Sequence, residues 1–312
     1  MIDRTTAPIR FSIQIPDAPD AATWRDKVER AEAAGFYSLS VPDHIGSIEP
    51  QLAQLAPLVA LGAAAMMTSK IRLAITVLDN DFRHPVMTAK EIATLDVLSN
   101  GRVDMGLGAG WLEDDYTRTG ITTWDAPGVR VDRLFESIEV LRKLFAGGEV
   151  SHKGRFYELD RFTSYPAPLQ KPVPLMIGAG AKRMLTGAAQ VAQIVNIIAP
   201  VRTGRDTRRQ AFEEQLSWIR DAGGLERDDL VLGIRVLVGV LGAAGESVAD
   251  VAARVFPTNA DEAVESPYAL LGDLDAIAAK VLDLRARYGL THFTVSEAFA
   301  WQIAPIVKDL SS

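Results

Sequence analysis

The sequence contains no cysteine. That removes disulfides, thiolate metal sites, iron–sulfur clusters and cysteine nucleophiles from consideration. Histidine is scarce, with only His44, His84, His152 and His292. None belongs to a His-Glu-x-x-His pair, so zinc hydrolysis is not expected and no metal site is predicted. There is no Gly-x-Ser-x-Gly elbow and no Walker loop, which argues against α/β-hydrolase chemistry and P-loop phosphoryl transfer. No apolar run reaches the roughly 18 residues that read as a membrane span. Nothing before Ile9 reads as a signal peptide. Positive charge is not in excess either: 33 bases against 40 acids give a net charge of −7. A nucleic-acid binder or a ligand of anionic membranes is therefore not expected. These absences predict a soluble, cytoplasmic protein.

What the 312 residues do contain is alternation. Ile9–Ile15 is apolar at every second position, the period of a strand. Trp24, Val28 and Ala31 recur at helical spacing and predict a helix over 23–34, with Gly35 as its stop. The same reading gives strands at 38–42, 72–78, 102–108, 174–179, 194–199, 230–240 and 291–296. It gives helices at 50–67, 85–98, 130–145, 182–192, 206–222, 247–255, 272–287 and 301–310. Residues 149–163 read as a hairpin turning at Lys153-Gly154. Short helical crossovers require parallel strands. Eight strand–helix units predict a closed α/β (β/α)8 TIM barrel in preference to an open doubly wound sheet. The chain reads as one domain over 1–312, with insertions at about 111–129, 149–173 and 241–271.

In such a barrel the strand C-termini carry the chemistry. Asp43-His44 directly follows strand 38–42, and a histidine there can exchange a proton near neutral pH. The plainer alternative is a turn, with Asp capping and His solvated. Gly106-Leu107-Gly108-Ala109-Gly110-Trp111 bares one face of a strand end at period two. That admits a planar ligand or a phosphate, or else serves a tight barrel interior. The acids behind it, Glu113-Asp114-Asp115, do not suit a phosphate. Gly178-Ala179-Gly180-Ala181-Lys182-Arg183 joins a strand to a helix, a junction whose N–H groups bind anions. A dinucleotide fold would want an acid about 20 residues on, and none occurs from Ala181 to Arg205.

Residues 161–205 hold no acid and six bases: Arg161, Lys171, Lys182, Arg183, Arg202 and Arg205. This stretch predicts a pocket for a multiply anionic small molecule, or a basic face balanced by acids folded beside it. Phe82-Arg83-His84-Pro85 reads mainly as structural, because the residue before proline is extended and Pro85 suits a helix start.

Taken in order, these motifs resemble the bacterial luciferase-like monooxygenase superfamily, and within it the actinobacterial oxidoreductases that use the deazaflavin coenzyme F420. The resemblance covers roughly residues 10–200. It is carried by Ala33-Ala34-Gly35-Phe36, Pro42-Asp43-His44, Arg83-His84-Pro85, Thr94 through Arg102, Gly106 through Trp111, Arg130-Val131-Asp132-Arg133 and Pro174 through Gly178. It implies a barrel with the cofactor ring over its mouth and hydride transfer between F420 and a small organic substrate. Asp43 and His44 would lie beside the ring, with His44 as acid or base. A bulge with a non-prolyl cis peptide within Thr76-Val77-Leu78 would back the ring. Gly108, Ala109, Gly110, Gly178, Ala179 and Gly180 would line the cofactor tail, with Lys182 and Arg183 beside its anionic groups. Phe82, Trp111 and Trp124 are candidate pocket walls. The alternative within the same superfamily is an FMN-dependent monooxygenase, which would use oxygen and a reductase partner or free reduced flavin. Relatives of this kind usually pair through barrel helices, so the apolar run Leu52–Ala65 is the expected face of a homodimer.

Overall fold

The computed structural model describes residues 4–46, 53–200, 206–243, 246–256 and 258–311. The strands are β1 (Arg10–Gln14), β2 (Ser38–Val41), β3 (Arg72–Ile75), β4 (Leu78–Asp79), β5 (Val103–Gly108), β6 (Val150–Lys153), β7 (Glu158–Phe162), β8 (Leu175–Ala179), β9 (Ile194–Ile197), β10 (Val231–Arg235), β11 (Val238–Leu241), β12 (Ala269–Gly272) and β13 (Leu290–Ser296). The helices are α1 (Ala21–Ala34), α2 (Pro57–Met67), α3 (Pro85–Leu98), α4 (Glu113–Thr117), α5 (Pro127–Ala146), α6 (Lys182–Val191), α7 (Arg209–Asp221), α8 (Val248–Val255), α9 (Ala260–Glu265), α10 (Leu274–Tyr288) and α11 (Glu297–Leu310).

One nine-stranded sheet runs β3-β2-β1-β13-β10-β9-β8-β5-β4. A further pairing of β3 with β5 closes it. Since β3 and β4 both pair with β5, they occupy one position, and the sheet is the expected eight-position parallel barrel. The internal packing gathers into two compact units of interleaved segments. One comprises Ile15–Arg30 and Leu39–Ile177; the other comprises Met1–Gln14, Ala31–Ser38 and Gly178–Ser312. Among the described residues no helix is long and apolar enough to cross a membrane.

Local chemistry explains most boundaries. The Asp20 carboxylate accepts the Thr23 N–H at 2.8 Å at the start of α1, and Gly35, at φ +85°, lets the chain turn out of it. Trp24, Val28 and Ala31 are buried as their spacing predicts. α3 starts at Pro85, and the His84 ring accepts the Val86 N–H as its cap. The hairpin of β6 and β7 is antiparallel and spans the expected turn.

Two signature residues act as clamps in the first unit. The Arg102 guanidinium donates to the carbonyls of Ala65, Thr68 and Ile71 and so closes the end of α2. Fully buried Asp96 accepts the Leu169 and Gln170 N–H groups and the Gln170 side-chain amide.

Three expectations need correction. The apolar run 230–240 is not one strand. Val231–Arg235 stays in the barrel, whereas Val238–Leu241 pairs in parallel with β12 in a separate small sheet. Gly239 lies there against the Phe299 ring, where a Cβ would stand 2.2 Å from the nearest ring carbon. A continuous apolar run does not show where such a strand changes partner. The helix expected from 50 begins at Pro57: residues 50–52 lie outside the described residues, and Gln54 makes an isolated antiparallel bridge with Asp17. The last helix starts at Glu297, a turn before the expected 301.

The feature that sets up the site is a bulge in the third barrel position. Ala74 pairs with Asp104 and Leu78 with Leu107, so four steps on one strand answer three on the other. Within it the Thr76–Val77 peptide is cis, inside the segment the resemblance named. The bulge and the glycine strip of β5 fit each other. A Cβ on Gly106 would stand 1.9 Å from the Ile75 carbonyl oxygen, and one on Gly108 would stand 2.6 Å from Val77 Cγ2. Because a backbone oxygen cannot swing aside, Gly106→Ala should destabilise the protein by at least about 2 kcal/mol. Urea denaturation measures this, and a loss below about 1 kcal/mol would contradict the packing argument.

Candidate active site

The residues at the ends of β2 and β4 and on α4 are joined by hydrogen bonds within the first unit. Asp43 is buried at the end of the β2 segment. Its two oxygens take the two Arg83 terminal nitrogens at 2.6 and 3.1 Å, and Oδ2 also accepts the Asp79 N–H at 3.1 Å. The carboxylate is thereby fully engaged, and the geometry gives Asp43 a holding role.

Its neighbour His44 is held from the other side. Nδ1 lies 2.9 Å from Oδ2 of buried Asp115, while Asp115 Oδ1 accepts the Gly46 N–H at 2.9 Å. An ionised carboxylate only accepts, so Nδ1 carries the proton and Nε2 presents its lone pair. Nε2 makes no hydrogen bond to any described residue. Trp111, 44% exposed, sets its ring edge-on to the His44 imidazole at 5.5 Å.

Asp79 completes the circuit. Both of its oxygens lie 2.6 Å from the Tyr116 hydroxyl, and Oδ1 accepts the Asp81 N–H at 3.0 Å. Burial pushes the Asp79 carboxyl up to about 7, against the opposing pull of the Tyr116 and Asp81 hydrogen bonds. Burial and then the nearby Asp79 charge raise the Tyr116 phenol, which stays a donor. Gly110, at φ +72°, passes directly over this pair: a Cβ would stand 2.0 Å from the Tyr116 oxygen. Arg130 fixes that turn by donating to the Ala109 and Asp125 carbonyls, and stacks over Trp124 with its guanidinium carbon 3.4 Å from the ring centroid. Phe82 and Trp124 pack against Tyr116, at centroid separations of 5.1 and 4.7 Å. They are packing for the dyad, and Trp111 is the aromatic beside His44.

The glycines of this segment are thus accounted for by the protein's own atoms. In the second unit the same holds for Gly180, where a Cβ would stand 2.5 Å from the Ile198 carbonyl oxygen. The Gln215 amide donates to both the Gly180 and Ile198 carbonyls. After Gly178 and Ala179 end β8, Lys182 and Arg183 open α6 with exposed side chains. Ala181, at the cap, has no polar side-chain atom to accept from the first N–H groups of that helix. The basic stretch itself is divided. Arg161 and Lys171 belong to the first unit, Lys182 and Arg183 to the second, and Arg202 and Arg205 lie outside the described residues.

A cavity of about 530 Å³ opens between α5 and the β6–β7 hairpin, lined by Glu136, Lys143 and His152 among others. Its groups are already spent on structure, since Glu136 accepts the N–H groups of Arg155, Phe156 and Tyr157 and meets His152 at 3.3 Å. Among the described residues no cluster of three or more His, Asp or Glu side chains is placed to hold a metal ion.

Residues 5–270 match the family model described as luciferase-like monooxygenase. The chain belongs to that family. It is 36% identical over 166 residues to the F420-dependent glucose-6-phosphate dehydrogenase of Amycolatopsis mediterranei (strain U-32), a match covering 50% of this chain and 48% of that enzyme. The chain spans about half the length of the curated relatives it matches. Its fold is similar to that of the coenzyme F420-dependent tetrahydromethanopterin reductase from Methanopyrus kandleri, with a TM-score of 0.76 at 19% identity over 97% of this chain and 98% of that one. It is also similar to that of the long-chain alkane monooxygenase, with a TM-score of 0.75 at 15% identity over 97% and 90% of the two chains.

Within this family member, sequence reasoning singled out His44 and Asp43 but missed Asp115, Asp79 and Tyr116 as their partners. The acids at 113–115 were visible only as a poor phosphate site. Asp79 offers a direct test. Between about 4 and about 7 the folded chain holds a proton that the unfolded chain releases. Stability from this group is therefore full below about 4 and is lost as pH rises through about 7. Thermal melts of wild type and Asp79→Asn across that range should diverge in favour of the variant as pH rises. A pH-independent difference would contradict the raised carboxyl.

Proposed function

We propose that this protein is an F420-dependent oxidoreductase that transfers a hydride between the deazaflavin and a small organic substrate, with His44 as the proton donor or acceptor. One observation carries the reading: Asp115 Oδ2 lies 2.9 Å from His44 Nδ1, which places the proton there and leaves Nε2 without a partner among the described residues. The carboxylate orients the ring and stabilises the imidazolium when Nε2 takes a proton, the division of labour of an Asp–His pair in general. Coenzyme F420, when bound, supplies the carbon that carries the hydride. Asp43 and Arg83 keep the loop rigid, so His44 returns to one position after each proton transfer. Trp111 stands edge-on to that imidazole.

The residues at the start of α6 fit an anionic tail. The uncapped first turn offers N–H donors, and the exposed Lys182 and Arg183 add charge. Gly178, Ala179 and Gly180, with Gly108, Ala109 and Gly110, are the assignments for that tail, and Thr76 and Val77 are the assignments for the ring end. An FMN-dependent monooxygenase is the second reading, favoured by the fold shared with an alkane monooxygenase. It would need oxygen and a source of reduced flavin. Fluorescence titration with both cofactors separates the two: F420 should bind more tightly than FMN, and FMN binding without F420 binding would reverse the order. His44→Ala should keep F420 affinity within a few-fold and cut turnover at least about a hundredfold, the usual contribution of a positioned acid or base. Consumption of reduced F420 against enones, imines and nitro compounds, with oxygen excluded, reads this out. Full turnover by the variant would end the role of His44.

A homodimer is part of the proposal. α2 buries Ala60, Leu61, Ala64 and Ala65 but leaves Val59 and Met66 76% and 74% exposed on its other face. Exposed apolar stripes of this kind mark contact surfaces. Light scattering should give twice 33.8 kDa at micromolar concentration and the single mass for Met66→Asp. A wild-type monomer would reject the assembly.

A further inference from the structure

Three adjacent strands of the second unit share a polar face that is not satisfied. Asn196 on β9, Arg235 on β10 and His292 on β13 each carry buried side-chain polar atoms with no hydrogen-bond partner among the described residues: Asn196 Oδ1, Arg235 Nη1 and both His292 ring nitrogens. The registers bring them together. Gly233 pairs with Asn196 on one side and with His292 on the other. Two residues on, Arg235 pairs with Thr294, whose hydroxyl accepts from Asn196 Nδ2 at 3.4 Å. Gly233 keeps the space between them clear of side chain, and a Cβ there would stand 3.4 Å from Asn196 Oδ1. Folded proteins pair nearly all their buried polar atoms, so several orphans on neighbouring strands mark a place built for an occupant.

Arg235 states the charge of that occupant. A guanidinium offers five donors and no acceptor. This one makes no side-chain hydrogen bond or ion pair with any described residue. Burial alone acts on it and lowers its pKa to about 10. The residue as a whole is partly exposed, but its Nη1 is buried with no partner among the described residues, and an anion arriving there supplies the missing acceptor. Arg235 is also the last residue of β10, at the strand end where barrels take their ligands. His292 is kept neutral, its pKa driven down to about 3 by burial and then by Arg10. It therefore adds one donor and one acceptor and no second charge.

We propose that Arg235 anchors an oxyanion, a carboxylate or phosphate group of a small molecule, with Asn196, Thr294 and His292 receiving its polar remainder. The site is one this chain builds whether or not F420 is its cofactor.

Thermal melts at constant ionic strength test it, with chloride replaced by sodium phosphate or sodium succinate. At about 10 mM either oxyanion should raise the wild-type melting temperature by about 3 °C or more. Arg235→Met should abolish the response while melting no lower than wild type without the anion, because a buried donor with no partner among the described residues has been removed. Arg235→Lys should keep a weaker response. Repeating the melts with saturating F420 distinguishes the sources. If the cofactor removes the response, the site holds the cofactor's own anionic group; if the response survives, it holds that of a second molecule. Equal shifts in wild type and Arg235→Met, or no wild-type response to either anion, would overturn the proposal.

Discussion

The candidate site depends on one closed circuit of hydrogen bonds. Asp43 binds the Asp79 backbone; the Asp79 carboxyl takes the Tyr116 hydroxyl; Asp115, next to Tyr116, holds His44; and His44 is next to Asp43. Two peptide bonds and three hydrogen bonds thus tie three distant segments into one ring. A hydrogen bond to a charged group contributes roughly 1.5–3 kcal/mol net. The larger effect is geometric, since no member can move without breaking a buried polar contact. His44 inherits its orientation from that restraint.

Many of the motif residues read from the sequence hold this frame or the fold around it. Arg83 neutralises Asp43, Arg130 holds the turn at Ala109–Gly110, Arg102 closes α2 and Asp96 pins the 169–170 backbone. The Gly106-x-Gly108-x-Gly110 strip makes room for the bulge around Val77 and for Tyr116. In the proposed function the chemistry would rest on few atoms, chiefly one imidazole nitrogen. The division is physically sensible, because a proton-transfer group must be placed within a fraction of an ångström and loops do not hold such positions unaided.

The barrel was legible from sequence because its evidence is local: period-two runs, helical spacing, and stop signals such as Gly35 and Pro85. The position of His44 followed from the end of a strand. Its partners were not legible, because Asp79 and Asp115 lie 36 and 71 residues from the groups they bind and share no motif with them. The split of 230–240 was hidden for a different reason: both halves are apolar, and only the partner strand changes. The charge of 161–205 was real as composition. Of its six cations, Arg161 and Lys171 fall in one unit, Lys182 and Arg183 in the other, and Arg202 and Arg205 lie outside the described residues.

The central claim is that Asp115 imposes a single tautomer on His44, with the proton on Nδ1 and Nε2 free to exchange one. Long-range proton–nitrogen NMR of the imidazole in nitrogen-15-labelled protein, above pH 7, observes this directly. The account predicts that His44 Nδ1 has the chemical shift of a protonated nitrogen and Nε2 that of a bare one, and that Asp115→Asn removes this preference. A His44 signal with the proton on Nε2 in the wild-type protein would contradict it.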